Sequence, residues 1–251
     1  MERSCLRSNR FYRPALLREP RGESVESVVV SLGGSVLVPG EGDARYLREL
    51  GTLLIDLSHR LQLFVVTGGG RVARYYIETG RELQIPERIL DEFGIEVTRV
   101  NARLLGAALR GRANREPART YREAAALARR FRIVVMAGTT PGHTTDRVSA
   151  SLARHVRASR LVNATSVDGV FSADPLIHPD ARLLSRIGFD DLIRLVGEGH
   201  PAAGPSVVFD PIAARVVARN RIPLAVVRGR ALAALRDAIL GRPFPGTIVG
   251  G

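Results

Sequence analysis

The sequence predicts an α/β domain, a three-layer α/β/α sandwich with a mostly parallel central sheet. Two observations lead to it. Short, continuous apolar runs rich in valine and isoleucine alternate with amphipathic stretches of about ten residues or more, the pattern of βαβ units. Three of those runs end in loops rich in glycine or threonine that feed the next helical stretch. With 251 residues, against a prior of roughly 150 per domain, the chain has room for one large domain of this kind. Apolar residues make up 45% and charged residues 25% of it, close to the globular average. No apolar run reaches the roughly 18 residues of a membrane-spanning helix. A single cysteine, Cys5, excludes a disulfide framework. The expectation is a cytoplasmic protein without membrane attachment.

Residues 1–26 stand apart. Six arginines, with Pro14, Pro20 and Gly22 and no sustained periodicity, predict a flexible basic arm ahead of a domain spanning residues 27–251. The arm lacks the apolar segment of a secretory signal, and Glu2 and Glu19 argue against an organelle transit segment. Residues 28–32 then form a buried strand ending in Gly33 and Gly34. Asp43 opens a helix to about residue 60, with Leu47, Leu50, Leu54 and Leu57 at helical spacing. A second buried strand, 63–66, ends in Gly68, Gly69 and Gly70 and precedes a helix over 72–83. Pro86 starts a helix toward Phe93, and a separate helix follows over 97–110. The alternation then repeats: helix 121–130, strand 132–137, loop 138–145, helix 146–157 and strand 161–164. Helices at 189–196 and 210–220 follow, the second with Asp210 as N-cap and Pro211 in its first turn. Strand 223–227, helix 232–240 and strand 247–249 complete the domain.

The net charge of +12 comes with no lysine at all; every one of the 37 basic residues is arginine. Residues 99–132 concentrate it, with ten arginines against Glu116 and Glu123. Interleaved with leucines at helical spacing, these arginines are expected to form the solvated face of a helix. The 5% aromatic content with no tryptophan offers no base-stacking platform, so nucleic acid is not an expected partner.

Chemistry is expected where strands end. Gly33-Gly34-Ser35, Gly68-Gly69-Gly70 and the loop Gly138-Thr139-Thr140-Pro141-Gly142-His143-Thr144-Thr145-Asp146 each follow a strand and lead into a helix. Glycines let a backbone approach an anion, and the first N–H groups of a helix favour negative charge. Any one such loop is equally well a tight turn. Together in one parallel-sheet domain they suggest a site for more than one phosphate. None fits the P-loop or the dinucleotide fingerprint.

The ordered motifs VVVSLGGSVLVP, FVVTGGGRVARYYI, DEFGIEVTRVNARLL, GTTPGHTTDRVSASLA, NATSVDGVFSADP and VVFDPIAARVVAR resemble those of the archaeal-type uridylate (UMP) kinases of the amino-acid kinase superfamily. The resemblance spans residues 27–250. It implies the amino-acid kinase fold and transfer of the γ-phosphoryl group of ATP to UMP, with Mg2+ accompanying ATP. It assigns Gly34, Ser35, Gly70 and Arg74 to the ATP phosphates, and Thr165, Phe171 and Asp174 to the adenosine. UMP falls to Gly69, to Asp91 on its sugar, and to Thr139, Thr140, Pro141, Gly142, His143, Thr144 and Thr145. Asp146 matches a carboxylate that orients the active centre, so Arg74 and Asp146 are the catalytic candidates. No protein-held metal cage is implied. The assembly implied is a homohexamer, with helix 97–110 as a candidate contact.

Each of these residues also has a plainer role open to it. Asp91 suits a helix surface, Asp146 a first helical turn, Phe171 a core and Asp174-Pro175 a turn. His143 is more readily a hydrogen-bond donor than a general base. The chain departs from the wider superfamily at Ser31, and at Leu176, Ile177 and His178, where lysines are common. Arg74, with Arg182 or Arg186, must then supply the cationic donors, and a planar guanidinium is not a point charge. Two rival activities follow from the same fold. One is a kinase of another small phosphate such as isopentenyl phosphate; the other is a non-catalytic nucleotide-binding or oxyanion-storage protein.

Overall fold

The structure, a computed structural model, describes residues 25–40, 42–173, 178–197 and 209–250. The expected arm therefore lies almost wholly outside the described residues, as do Asp174 and the positions Leu176 and Ile177. Among the described residues, seven strands form one sheet: β1 (Ser27–Leu32), β2 (Gln62–Thr67), β3 (Ile133–Met136), β4 (Arg160–Thr165), β5 (Arg186–Ile187), β6 (Leu224–Arg228) and β7 (Thr247–Val249). Their order is β3-β2-β1-β4-β6-β7-β5. Every pairing is parallel except that of β6 with β7. The helices are α1 (Gly34–Leu37), α2 (Asp43–Leu57), α3 (Gly70–Glu82), α4 (Glu87–Ala108), α5 (Tyr121–Leu127), α6 (Thr145–His155), α7 (Phe189–Val196), α8 (Pro211–Arg219) and α9 (Leu232–Leu240). None is long and apolar enough to cross a membrane.

Alternation along each strand builds the two outer layers. Val28, Val30 and Leu32 of β1, with Leu63 and Val65 of β2, face a core shared with α2, α4 and α9. Val29, Phe64 and Val66 point the other way, into a core shared with α6, α7 and α8. Both faces being covered, the strands read as unbroken apolar runs. The three-layer expectation holds.

Beyond shifts of a few residues at several element ends, four features differ from the sequence expectation. The helices expected at 86–93 and 97–110 are one helix, α4, of 22 residues, with Pro86 at its N-cap. Gly94 passes through without a break because it packs on α3; a Cβ there would meet Ile77 Cδ1 at 3.4 Å. The helix expected from 72 begins at Gly70. Two short elements were not anticipated: α1, with Val36 and Leu37 buried, and β5, of two residues. Neither is long enough to show a period. The basic stretch is a solvated face in part: Arg103 and Arg110 are exposed while Leu105 and Leu109 are buried. Arg103 there pairs with Glu116 at 2.9 Å.

Candidate active site

From β1 the chain fills the sheet toward β3, then returns to place β4 on the opposite side. Ligands of open α/β sheets sit beyond the carboxyl strand ends at such a reversal. Three strand ends are tied together there. The N–H of Gly33 donates to Ala164 O (3.2 Å), and that of Gly68 donates to Leu32 O (2.9 Å). The backbones of Gly34 and Gly70 cross in direct contact, and Gly70 takes a left-handed φ of 64°. Helices α1, α3 and α6 all begin at this edge, turning unpaired N–H groups toward it.

Two cavities open at the edge. The first, about 280 Å³, is bounded by the ends of β1, β2 and β4. Gly34, Ser35, Gly70, Arg74, Asp146 and Thr165 line it. The second, about 440 Å³, lies between α3, α4 and the 138–145 loop. Gly69, Asp91, Thr140, Pro141, Gly142, His143, Thr144 and Thr145 line that one. Gly69, Gly70, Arg74 and Thr145 belong to both. Of the described residues expected at the two nucleotides, all but Thr139 and Phe171 line one or other of two adjoining chambers with one shared wall.

Among the described residues, four candidates lie apart. Thr139 lines neither cavity, although its buried hydroxyl has no hydrogen-bond partner. Phe171 lines neither, and forms an isolated antiparallel bridge with Leu183. Arg182 and Arg186 also line neither, so Arg74 is the single cation among the described lining residues of the first cavity.

Local structure fixes each chemical group. Arg74, on the first turns of α3, donates from Nη2 to Ser35 Oγ at 3.1 Å and so bridges two glycine loops. Arg230 holds α1 from behind: its Nε donates to Val36 O (3.1 Å) and its Nη2 meets Asp43 at 2.7 Å. The same guanidinium lies 4.6 Å over the ring of Tyr46, a cation–π contact. The hydroxyl of Tyr46 donates to Gly229 O at 3.0 Å.

Asp146 sits in the first turn of α6, which Thr144 caps by accepting from Arg147 N. Its Oδ1 accepts from Ser31 Oγ and its Oδ2 from the N–H of Asp210, both at 3.2 Å. Burial pushes its pKa up to about 6 against the pull of those two hydrogen bonds. His143 is moved the other way, held below the usual histidine range by burial and then by Arg147. It is therefore a neutral imidazole near pH 7, and its Nδ1 is buried without a partner.

A sequence profile described as the Amino acid kinase family matches residues 26–228. The chain belongs to the amino acid kinase family. Among relatives of this chain, the uridylate kinase of Methanocorpusculum labreanum is 45% identical over 224 residues, 89% of this chain and 95% of that protein. The uridylate kinase of Thermococcus sibiricus is 40% identical over 88% of this chain and 98% of its own. The crystal structure of uridylate kinase from Archaeoglobus fulgidus superposes with a TM-score of 0.80 at 38% identity, covering 89% of this chain and 99% of that one. UMP kinase from Bacillus anthracis shares the fold, with a TM-score of 0.75 at 20% identity over 90% and 96% of the two chains.

The sequence alone did not single out Asn163, Thr98 or Asn101. Asn163, within β4, lines the first cavity, and Thr98 lines the second. Asn101 is buried against the second glycine loop. A polar residue inside an otherwise apolar strand run was the available signal for Asn163. Thr98 and Asn101 sit in a helical run whose charges dominate its pattern.

Proposed function

We propose that the protein is a UMP kinase, transferring the γ-phosphoryl group of ATP to UMP to give ADP and UDP, a step of pyrimidine nucleotide biosynthesis. The observation that supports this most is the pair of adjoining cavities with a common wall at Gly69, Gly70, Arg74 and Thr145. Two anionic ligands entering from opposite sides would meet there phosphate to phosphate. ATP phosphates take the first cavity, on the N–H groups of α1 and α3 and on Arg74. UMP takes the second, its phosphate toward Arg74 and its ribose hydroxyls donating to Asp91, since a carboxylate accepts paired hydroxyls.

A UMP phosphate oxygen, ionised near neutral pH, attacks the γ-phosphorus in line as the bond to the β-bridging oxygen breaks, and that oxygen leaves on ADP. No proton need be removed, so a neutral His143 serves as a hydrogen-bonding group. Phosphoryl transfer is governed by positioning and charge neutralisation. Arg74 spans both cavities and contributes to each. Among the described residues no group of three or more His, Cys, Asp or Glu side chains could cage a metal. Among the described residues, Asp146 is the one carboxylate lining the first cavity. This donor set fits Mg2+ held by ATP phosphates and one acid. Mg2+, when bound, neutralises charge on the β- and γ-oxygens.

ADP release measured with UMP, CMP, isopentenyl phosphate or no acceptor, with and without Mg2+, tests the assignment. Turnover should require UMP and Mg2+. Faster turnover with isopentenyl phosphate, or tight ATP binding with no turnover on any acceptor, would replace it with one of the rival activities. Asp91 opposes the prenyl alternative, because an apolar tail would strip it of water without offering a hydrogen bond. Asp91→Ala should raise the KM for UMP at least about tenfold, the scale of a lost hydrogen bond to a charged group. The KM for ATP should stay within a factor of about three in steady-state assays; equal rises would remove Asp91 from the sugar.

The proposed assembly is a homohexamer. Helices α3 and α4 carry much of the exposed apolar surface: Val72, Tyr75 and Tyr76 on α3, then Phe93, Val100 and Leu104 on α4. Val100 is 60% and Tyr75 66% exposed in the single chain, which marks this face for burial against another copy. Tyr75→Glu with Val100→Glu should yield a smaller species in sedimentation velocity. An unchanged sedimentation coefficient would place the contact elsewhere.

A further inference from the structure

One turn of α4 grips the backbone of both nucleotide-facing loops. Thr98 and Asn101 are buried, and each also offers a polar atom to loop backbone outside the helix. The hydroxyl of Thr98 donates to Ile95 O at 2.6 Å and accepts the N–H of Gly138 at 2.8 Å. Its carbonyl accepts from Thr67 Oγ1 at 3.0 Å. Asn101 Nδ2 donates to Gly68 O at 2.8 Å and reaches Gly69 O at 3.4 Å. These backbone groups lie just past the ends of β2 and β3, where the ladder no longer pairs them. In a trans peptide the C=O and the next N–H point in opposite directions. Drawing the carbonyls of Gly68 and Gly69 toward Asn101 therefore fixes the N–H groups of Gly69 and Gly70 facing away from it. Thr98 also closes the other loop from behind, since a Cβ on Gly138 would lie 3.0 Å from its Oγ1.

We propose that Thr98 and Asn101 are positioning residues for phosphoryl transfer, welding the Gly68–Gly70 loop and the start of the 138–145 loop to one helical turn so that donor and acceptor phosphates keep one separation. The inference rests on the kinase assignment above. Asp91 lies on the same helix seven residues earlier, about 10 Å along its axis at 1.5 Å per residue. One rigid element thus gauges both the outer end of the second cavity and the loop backbone at its inner end.

Thr98→Val keeps the side-chain shape and removes the hydroxyl. It should lower kcat about 10- to 100-fold at saturating ATP and UMP, the scale of a displacement of about 1 Å between reacting groups, with the KM for ATP within about threefold. Exchange of the Gly138 amide, followed by NMR, should accelerate whether or not the variant turns over. Thr98→Ser should recover most of the lost turnover, which a merely space-filling role for Thr98 would not predict. Thr67→Val, which cuts only the tie from β2 to α4, gives a smaller fall in kcat and serves if Thr98→Val does not fold. An active wild-type enzyme with kcat unchanged in Thr98→Val, or in Thr67→Val where that is the variant that folds, overturns the inference alone. So does a Thr98→Ser variant no better than the valine. A wild-type enzyme that releases no ADP with UMP overturns the kinase assignment and takes the inference with it.

Discussion

Gly34→Ala is expected to abolish turnover and to lower stability by about 4 kcal/mol or more, at the extreme of single substitutions. A Cβ at this position would lie 2.2 Å from Gly70 N, 2.5 Å from Gly69 C and 2.6 Å from Gly68 O. All three are backbone atoms, so no rotamer change clears them. Relief requires one glycine loop to move off the other, and Gly34, Gly69 and Gly70 all line the first cavity. The preceding glycine makes the contrast. A Cβ on Gly33 would meet Ala164 O at 3.5 Å, an ordinary contact, and its φ of −54° is open to any residue. Gly33→Ala should therefore stay within about 1 kcal/mol of the wild type in thermal unfolding. Equal melting temperatures for the two alanine variants would show that the loops do not cross where the structure places them.

That contrast marks where local sequence stops informing. The buried strands were readable because both faces of β1 and β2 are covered, which leaves an unbroken apolar run. Helix α9 and strand β7 fall at the residues their pattern predicts, 232–240 and 247–249, the helix being closed by Gly241 in the left-handed region. Two adjacent glycines, however, look alike in a sequence, and only the approach of Gly70, far along the chain, makes Gly34 irreplaceable. The same holds for α4. A break was expected between residues 93 and 97, and packing of Gly94 against Ile77 of α3 accompanies a helix that runs straight through. Thr98 and Asn101 bond to groups some 30 to 40 residues away, a partnership no periodicity encodes. The candidate site was visible as three loops; what holds those loops at fixed distances was not.

Asp146→Asn should move stability and activity in opposite directions. The acid is displaced from an ordinary value of 3.8 to about 6 by burial, opposed by hydrogen bonds from the Asp210 N–H and Ser31. Below about pH 4 the group is protonated in folded and unfolded chains alike and costs nothing. Between about pH 4 and pH 6 the folded protein retains a proton that the unfolded chain has released, so stability falls as pH rises. Above pH 6 the full penalty remains, on the order of 3 kcal/mol. Asparagine can accept from Asp210 N through its oxygen and donate to Ser31 Oγ through its nitrogen, without the buried charge. The variant should therefore melt several degrees higher than the wild type at pH 7.5, with the difference vanishing toward pH 4. A fold that tolerates such a penalty implies a use for the charge. If the ionised carboxylate orients the phosphates or their Mg2+ at the transfer point, wild-type kcat should fall as pH drops through about 6. The asparagine variant should then be about a hundredfold slower and lose that inflection. An asparagine variant that melts lower at pH 7.5 would refute the burial argument. One that melts higher yet turns over at the wild-type rate would leave Asp146 a structural residue and shift the burden of catalysis to Arg74 and the loop amides.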